Sequence, residues 1–146
     1  MRIAYLSADP GIPVTGGKGA STHIRQLIRA FLETGATVDL FTTNAGEGSR
    51  DFLGAGRFHL IDDAAAGVEG AVAGAGDKRL AKELAWIALG EQIREAVITR
   101  HVGAPYDFIY ERQSLWSSAG VGAAAALGIP CIMEVNAPLR DEARRY

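Results

Sequence analysis

Near its start the chain reads RIAYLS, then GGKGA, then HIRQLIRAFLE, then TVDLFTT, and this order constrains the fold more than any other feature. Arg2 to Ser7 form an apolar run of the kind buried on both faces of a parallel sheet. Ile24, Leu27, Ile28, Phe31 and Leu32 then recur at helical spacing, with Ser21 or Thr22 expected as N-cap and Gly35 just past the end. Thr37 to Thr43 is rich in β-branched residues and closes a unit of the right length for a right-handed βαβ crossover.

The same alternation continues. Arg57 to Ile61, Asp107 to Glu111 and Ile129 to Val135 read as further strands. Arg79 to about His101 reads as a long helix, and Ser117 to Gly128 as a helix of small residues able to lie close to a sheet. Residues 62–78 are Ala/Gly-rich with few large apolar groups, which predicts a flexible surface connection. Strands alternating with helices imply an α/β fold: a doubly wound parallel sheet, Rossmann-like, in three α/β/α layers. At the end, Pro138 at a first helical turn, acidic Asp141 and Glu142, then Arg144 and Arg145 mark a helix that has only begun at Tyr146. This favours a fragment of a longer protein over a short terminal helix.

Composition narrows the function classes. The 146 residues suit one domain with a real core, and 48% hydrophobic with 22% charged residues fits neither a disordered nor a membrane chain. No apolar run approaches the roughly 20 residues needed to cross a bilayer. The N-terminus, breaking at Asp9-Pro10, reads as a strand and not a signal peptide, so the cytoplasm is the expected compartment. The single cysteine, Cys131, is expected to serve as a small core hydrophobe. A net charge of −2 offers no basic field, which disfavours a nucleic acid partner.

Ligands of open parallel sheets collect outside the carboxyl ends of the strands, here Ser7 to Lys18, Thr42 to Asn44, Glu111 to Ser114 and Glu134 to Pro138. Within the first stretch Gly16, Gly17 and Gly19 free the backbone amides ahead of a helix N-terminus, and Lys18 adds a cation. Such a loop suits a phosphate or a hydroxylated ligand lying close to backbone; the plainer reading is a turn after Pro13. Two familiar phosphate motifs are absent. A P-loop would need glycine at Ile12 and Ser or Thr at Gly19, and a dinucleotide fingerprint would need glycine at Thr22. The second strand ends FTTN, without an acidic residue for a ribose.

The stretch ADPGIPVTGGKGASTHIRQLIRAFLETGATVDLFTT resembles the opening of glycosyltransferases of the two-Rossmann-domain (GT-B) kind, specifically the retaining family 4 group. The stretch YDFIYERQSLWSSAGVGAAAALGIPCIMEVNAPLRDE is similar to a more distinctive part of that family. The resemblance implies the N-terminal, acceptor-binding half of a GT-B architecture. The nucleotide-diphosphate sugar donor would then sit mainly on a second domain, with a sugar, lipid or small-molecule acceptor on this one. It further implies transfer of a hexosyl group with retention, with no cofactor or metal expected, since amides and basic side chains can stabilise the departing diphosphate. It leaves room for peripheral membrane association of the full-length enzyme.

Carried onto this chain, the resemblance implies that Gly16, Gly17, Lys18 and Gly19 face the donor diphosphate. His23, Glu111, Arg112, Glu134, Asn136 and Glu142 form the acceptor side. Many members carry a His-x-His-like pair where this chain has Tyr110, Glu111 and Arg112, so the catalytic group is unassigned. For His23 a solvated or capping role stays open, for Glu134 a structural ion pair, and for Trp116 packing in place of stacking on a sugar. A stand-alone sugar- or phosphometabolite-binding module without catalysis is the alternative function, because doubly wound sheets host many.

Overall fold

β1 (Arg2–Ser7) is buried from Ile3 onward, with Ile3 and Tyr5 facing one helical layer and Ala4 and Leu6 the other. A strand covered on both faces must be apolar throughout, which is why it reads as a run and not an alternation. After it come α1 (Gly19–Glu33), β2 (Thr37–Thr42), a 3₁₀ turn (Asp51–Leu53) and β3 (Arg57–Leu60). Then follow α2 (Lys78–Gly103), β4 (Phe108–Arg112), α3 (Ala119–Leu127) and β5 (Cys131–Glu134). The computed structural model describes residues 1–62 and 76–137.

The strands form one parallel sheet in the order β3-β2-β1-β4-β5. The chain builds outward from β1 to β3, then returns across the sheet to β4. Since crossovers are right-handed, the two directions place their connections on opposite faces. α1 and the 3₁₀ turn accordingly cover Ile3, Tyr5, Val38 and Leu40, whereas α2 and α3 cover Ala4, Leu6, Phe41 and Ile109. This is the expected doubly wound, three-layer α/β fold. Ala119, Gly120, Ala123 and Ala124 form the buried side of α3, so this helix does lie close against the sheet.

Some boundaries differ from expectation. α1 starts earlier than its good capping residues suggest: Lys18 is the N-cap, no side chain caps the helix, and Ser21 is buried in the first turn. Asp77 caps α2, its carboxylate accepting the Leu80 N–H at 2.9 Å. β4 extends to Arg112, and Cys131 is half-buried at the start of β5 instead of deep in the core. The Ala/Gly-rich connection falls largely outside the described residues, and the helix begun at Pro138 lies wholly outside them.

One buried carboxylate ties the strands together on the α2 face. Asp39 on β2 accepts from the Tyr106 hydroxyl at 2.8 Å and the Arg57 amide at 3.3 Å, and pairs with the Arg2 guanidinium, which also lies 4.6 Å from the Tyr106 ring centre. Burial, then the Asp39 carboxylate, push the Tyr106 pKa up, so this hydroxyl stays protonated and donates. Asp39→Ala would leave the Tyr106 hydroxyl without an acceptor and the Arg2 guanidinium without its counter-charge, with only the Ala104 carbonyl still accepting from that guanidinium among the described residues. The expected loss is about 3 kcal/mol, read by urea denaturation.

Candidate functional site

The registers align one row of residues along the carboxyl edge of the sheet. Thr42 pairs with Ser7, Ser7 with Arg112, and Arg112 with Glu134. β1 and β4 are neighbours whose following helices lie on opposite faces, which makes the strand ends at Ser7 and Arg112 the topological switch point where sheets of this kind form a ligand crevice.

The glycine loop forms the α1 side of this crevice and is strapped down from below. Val14 and Thr15 donate their amides to the Asn44 and Ala45 carbonyls, both at 3.0 Å. Asn44 Nδ2 donates to the Pro10 carbonyl at 2.7 Å, and the Thr15 hydroxyl accepts the Gly48 amide at 2.8 Å. Gly46, at φ +73°, leaves no room for a side chain, because a Cβ there would lie 2.6 Å from the Thr15 hydroxyl. The loop glycines divide into two kinds. A Cβ on Gly16 would come within 2.9 Å of Pro13, so packing requires that glycine. Gly17 and Gly19 have ordinary φ values and open space around a would-be Cβ, so the fold itself does not demand glycine at either. Both are exposed beside Lys18, at the uncapped N-terminus of α1.

Glu134, at the end of β5, gathers the other side. Its Oε1 accepts from Arg112 at 2.8 Å and lies 3.1 Å from His23 Nε2 on α1; its Oε2 accepts from the Tyr110 hydroxyl at 3.0 Å. Asn136 Nδ2 also donates to Oε1. Burial alone would raise the Glu134 pKa, but hydrogen bonds from Asn136, Tyr110 and His23, with the His23 charge, hold it below the usual carboxylate range. Tyr110, half-buried and hydrogen-bonded to Glu134, has its pKa pushed up to about 12 by desolvation and that hydrogen bond. The structure therefore brings His23, Arg112, Glu134 and Asn136 together. Tyr110 joins them unforeseen, although alternation along β4 was a signal that it shares a face with Arg112. Glu142 lies outside the described residues.

Glu111 is elsewhere. It points from β4 to the opposite face, fully buried beneath the start of α3, where the Ser117 hydroxyl donates at 3.4 Å. Burial raises its pKa; the Gly120 and Val121 amides and Ser117 lower it by less. A Cβ on Gly120 would lie 2.5 Å from its Oε2, so glycine there makes room for the carboxylate. The expected place of Glu111 on the acceptor side does not fit this burial, and its visible role is to hold the α3 N-terminus. Trp116 does not face the crevice either. At φ +67° and 44% exposed, it lines a shallow cleft with Arg79, Leu80 and Glu83 on α2. A larger cleft of about 640 Å³ lies between the outer strand β3 and α2, lined by His59, Gln92, Glu95, Thr99 and Arg100 among others.

Several hydroxyls near the crevice, Tyr5, Ser7, Ser21 and Ser114, are buried with no hydrogen-bond partner among the described residues. Buried hydroxyls are normally satisfied, so this end of the sheet is suited to ordered water or the oxygens of a ligand. Among the described residues no three His, Cys, Asp or Glu side chains stand together as a metal site would need, and no helix is long and apolar enough to cross a membrane.

No family model and no curated protein match this sequence. Two crystal structures of the C-terminal domain of a Pyrococcus furiosus hydrogenase are similar in fold. One superposes with a TM-score of 0.59 at 11% identity, covering 91% of this chain and 90% of that one. The other gives 0.55 at 10% identity, covering 92% and 90%. At such identity the likeness is one of fold alone.

The two glutamates should respond oppositely to pH. Glu134 has a depressed pKa, so its stabilisation is present above the ordinary carboxylate range and is lost as pH falls through the folded value. Glu134→Gln is expected to cost about 1–2 kcal/mol at pH 7, a cost that shrinks as the pH falls through the folded value of the carboxylate, measured by urea denaturation from neutral to acid pH. Glu111 has a raised pKa, so its ionised form opposes folding at neutral pH. Glu111→Gln should equal or exceed the wild type in melting temperature at pH 7, with the advantage shrinking on acidification.

Proposed function

We propose that this chain is the acceptor-side domain of a retaining glycosyltransferase of the two-Rossmann-domain kind, acting with a second domain that binds the nucleotide-diphosphate sugar. The observation that carries the reading is the contact between His23 and Glu134. It links the helix behind the glycine loop to the end of β5, so that amides suited to a diphosphate and side chains suited to sugar hydroxyls share one crevice.

In this reading the donor's diphosphate approaches Gly17 and Gly19, where no side chain stands in the way. Amides at the α1 N-terminus and Lys18 stabilise the negative charge that grows on the leaving diphosphate. Glu134 has its oxygens engaged by four neighbours, so it orients Arg112 and His23 more than it binds substrate itself. Arg112 and Asn136 would then meet the hydroxyls of a sugar, lipid-linked or small-molecule acceptor.

The test is turnover of nucleotide sugar by the full-length protein and its Gly17→Val variant. A side chain at Gly17 leaves the fold intact and should lower activity at least about tenfold by blocking approach to the backbone. Wild-type turnover in that variant would remove the loop from the mechanism. Ligand binding at the crevice with no transfer to any acceptor would favour the binding-module alternative.

A further inference from the structure

We infer that Arg25 is a positioning residue that aims the Gly17 amide into the crevice. The inference rests on the reading above, that the crevice receives an anion.

Arg25 lies on α1, half-buried under the glycine loop. Its NH1 donates to two carbonyls, those of Val14 and Gly16, each at 2.8 Å. A trans peptide fixes its C=O and the following N–H in opposite directions, and every peptide here is trans among the described residues. Holding the Val14 carbonyl down therefore turns the Thr15 N–H away from Arg25, and that amide does donate to the Ala45 carbonyl on the other side. The second carbonyl has the same consequence one peptide plane later. With Gly16 C=O held by Arg25, the Gly17 N–H must face away from the helix, where it makes no hydrogen bond among the described residues.

The preorientation matters because glycine peptides flip readily. Gly16 and Gly17 adjoin one another, and their shared peptide plane has no Cβ on either side to restrict it. Without Arg25 the loop would sample orientations with the carbonyl outward, and an outward carbonyl repels a phosphate oxygen. Asn44 and Ala45 fix only the earlier part of the loop, so Arg25 alone among the described side chains governs this plane.

The experiment is a titration of ¹⁵N-labelled protein with inorganic pyrophosphate at constant ionic strength, following backbone amides in the wild type, Arg25→Met and Arg25→Lys. In the wild type the Gly17 amide should shift and saturate. In Arg25→Met the dissociation constant should rise about tenfold, while amides from Ile24 to Leu32 keep their shifts and report an intact helix. Arg25→Lys retains the charge on a shorter stem and should also weaken binding. Wild-type affinity in either variant would overturn the positioning role while leaving the anion site standing. If Arg25→Met does not fold, the Lys variant alone decides between those two results. No response of Gly17 in the wild type would remove the anion reading itself, and the role of Arg25 with it.

Discussion

The reversal of chain direction at β1 is the constraint on which the candidate site depends. Right-handed crossovers send α1 to one face of the sheet and α2 and α3 to the other, so the segments following β1 and β4 diverge above two adjacent strands. Among the described residues, only the loops those strands emit lie over the strand ends between them. Asp39 secures the opposite half of the same sheet through Arg2, Arg57 and Tyr106, so the frame is held by hydrogen bonds to a buried carboxylate.

Around the crevice, two carboxylates one residue row apart do different work because they face different layers. Glu134 is surrounded by donors, which hold it ionised and let it fix Arg112, His23 and Tyr110 in place. Glu111 meets the start of α3 in a dry setting that raises its pKa. Such divergence is common where a fold combines a structural carboxylate with one that organises a polar site. The glycine loop adds backbone amides at fixed orientation, so the crevice presents donors from both of its walls.

Much of the fold was legible because burial on both faces leaves unbroken apolar runs, and an amphipathic helix leaves a period of 3.6. The start of α1 was not, since Ser21 and Thr22 are good capping residues by type, yet Ser21 is needed inside the first turn. The site was half legible. His23, Arg112, Glu134 and Asn136 do converge, but Glu111 does not, because its place at a strand end says nothing of the face it takes, and adjacent strand residues face opposite layers. Arg25 left no sequence signal at all: an arginine in an amphipathic helix looks like solvated surface until the loop folds over it. Trp116 was hidden in a different way, because its left-handed backbone turns it toward α2, and no local pattern announces that.

A crystal structure of the full-length protein with a nucleoside diphosphate sugar bound bears most directly on the crevice as the functional centre. The predicted result is a phosphate oxygen within about 3.2 Å of the Gly17 backbone nitrogen, with the sugar turned toward Arg112 and Asn136. A diphosphate seated away from the glycine loop, for example against His59 and Arg100 in the cleft beside β3, with the Gly17 amide left in solvent, would contradict it.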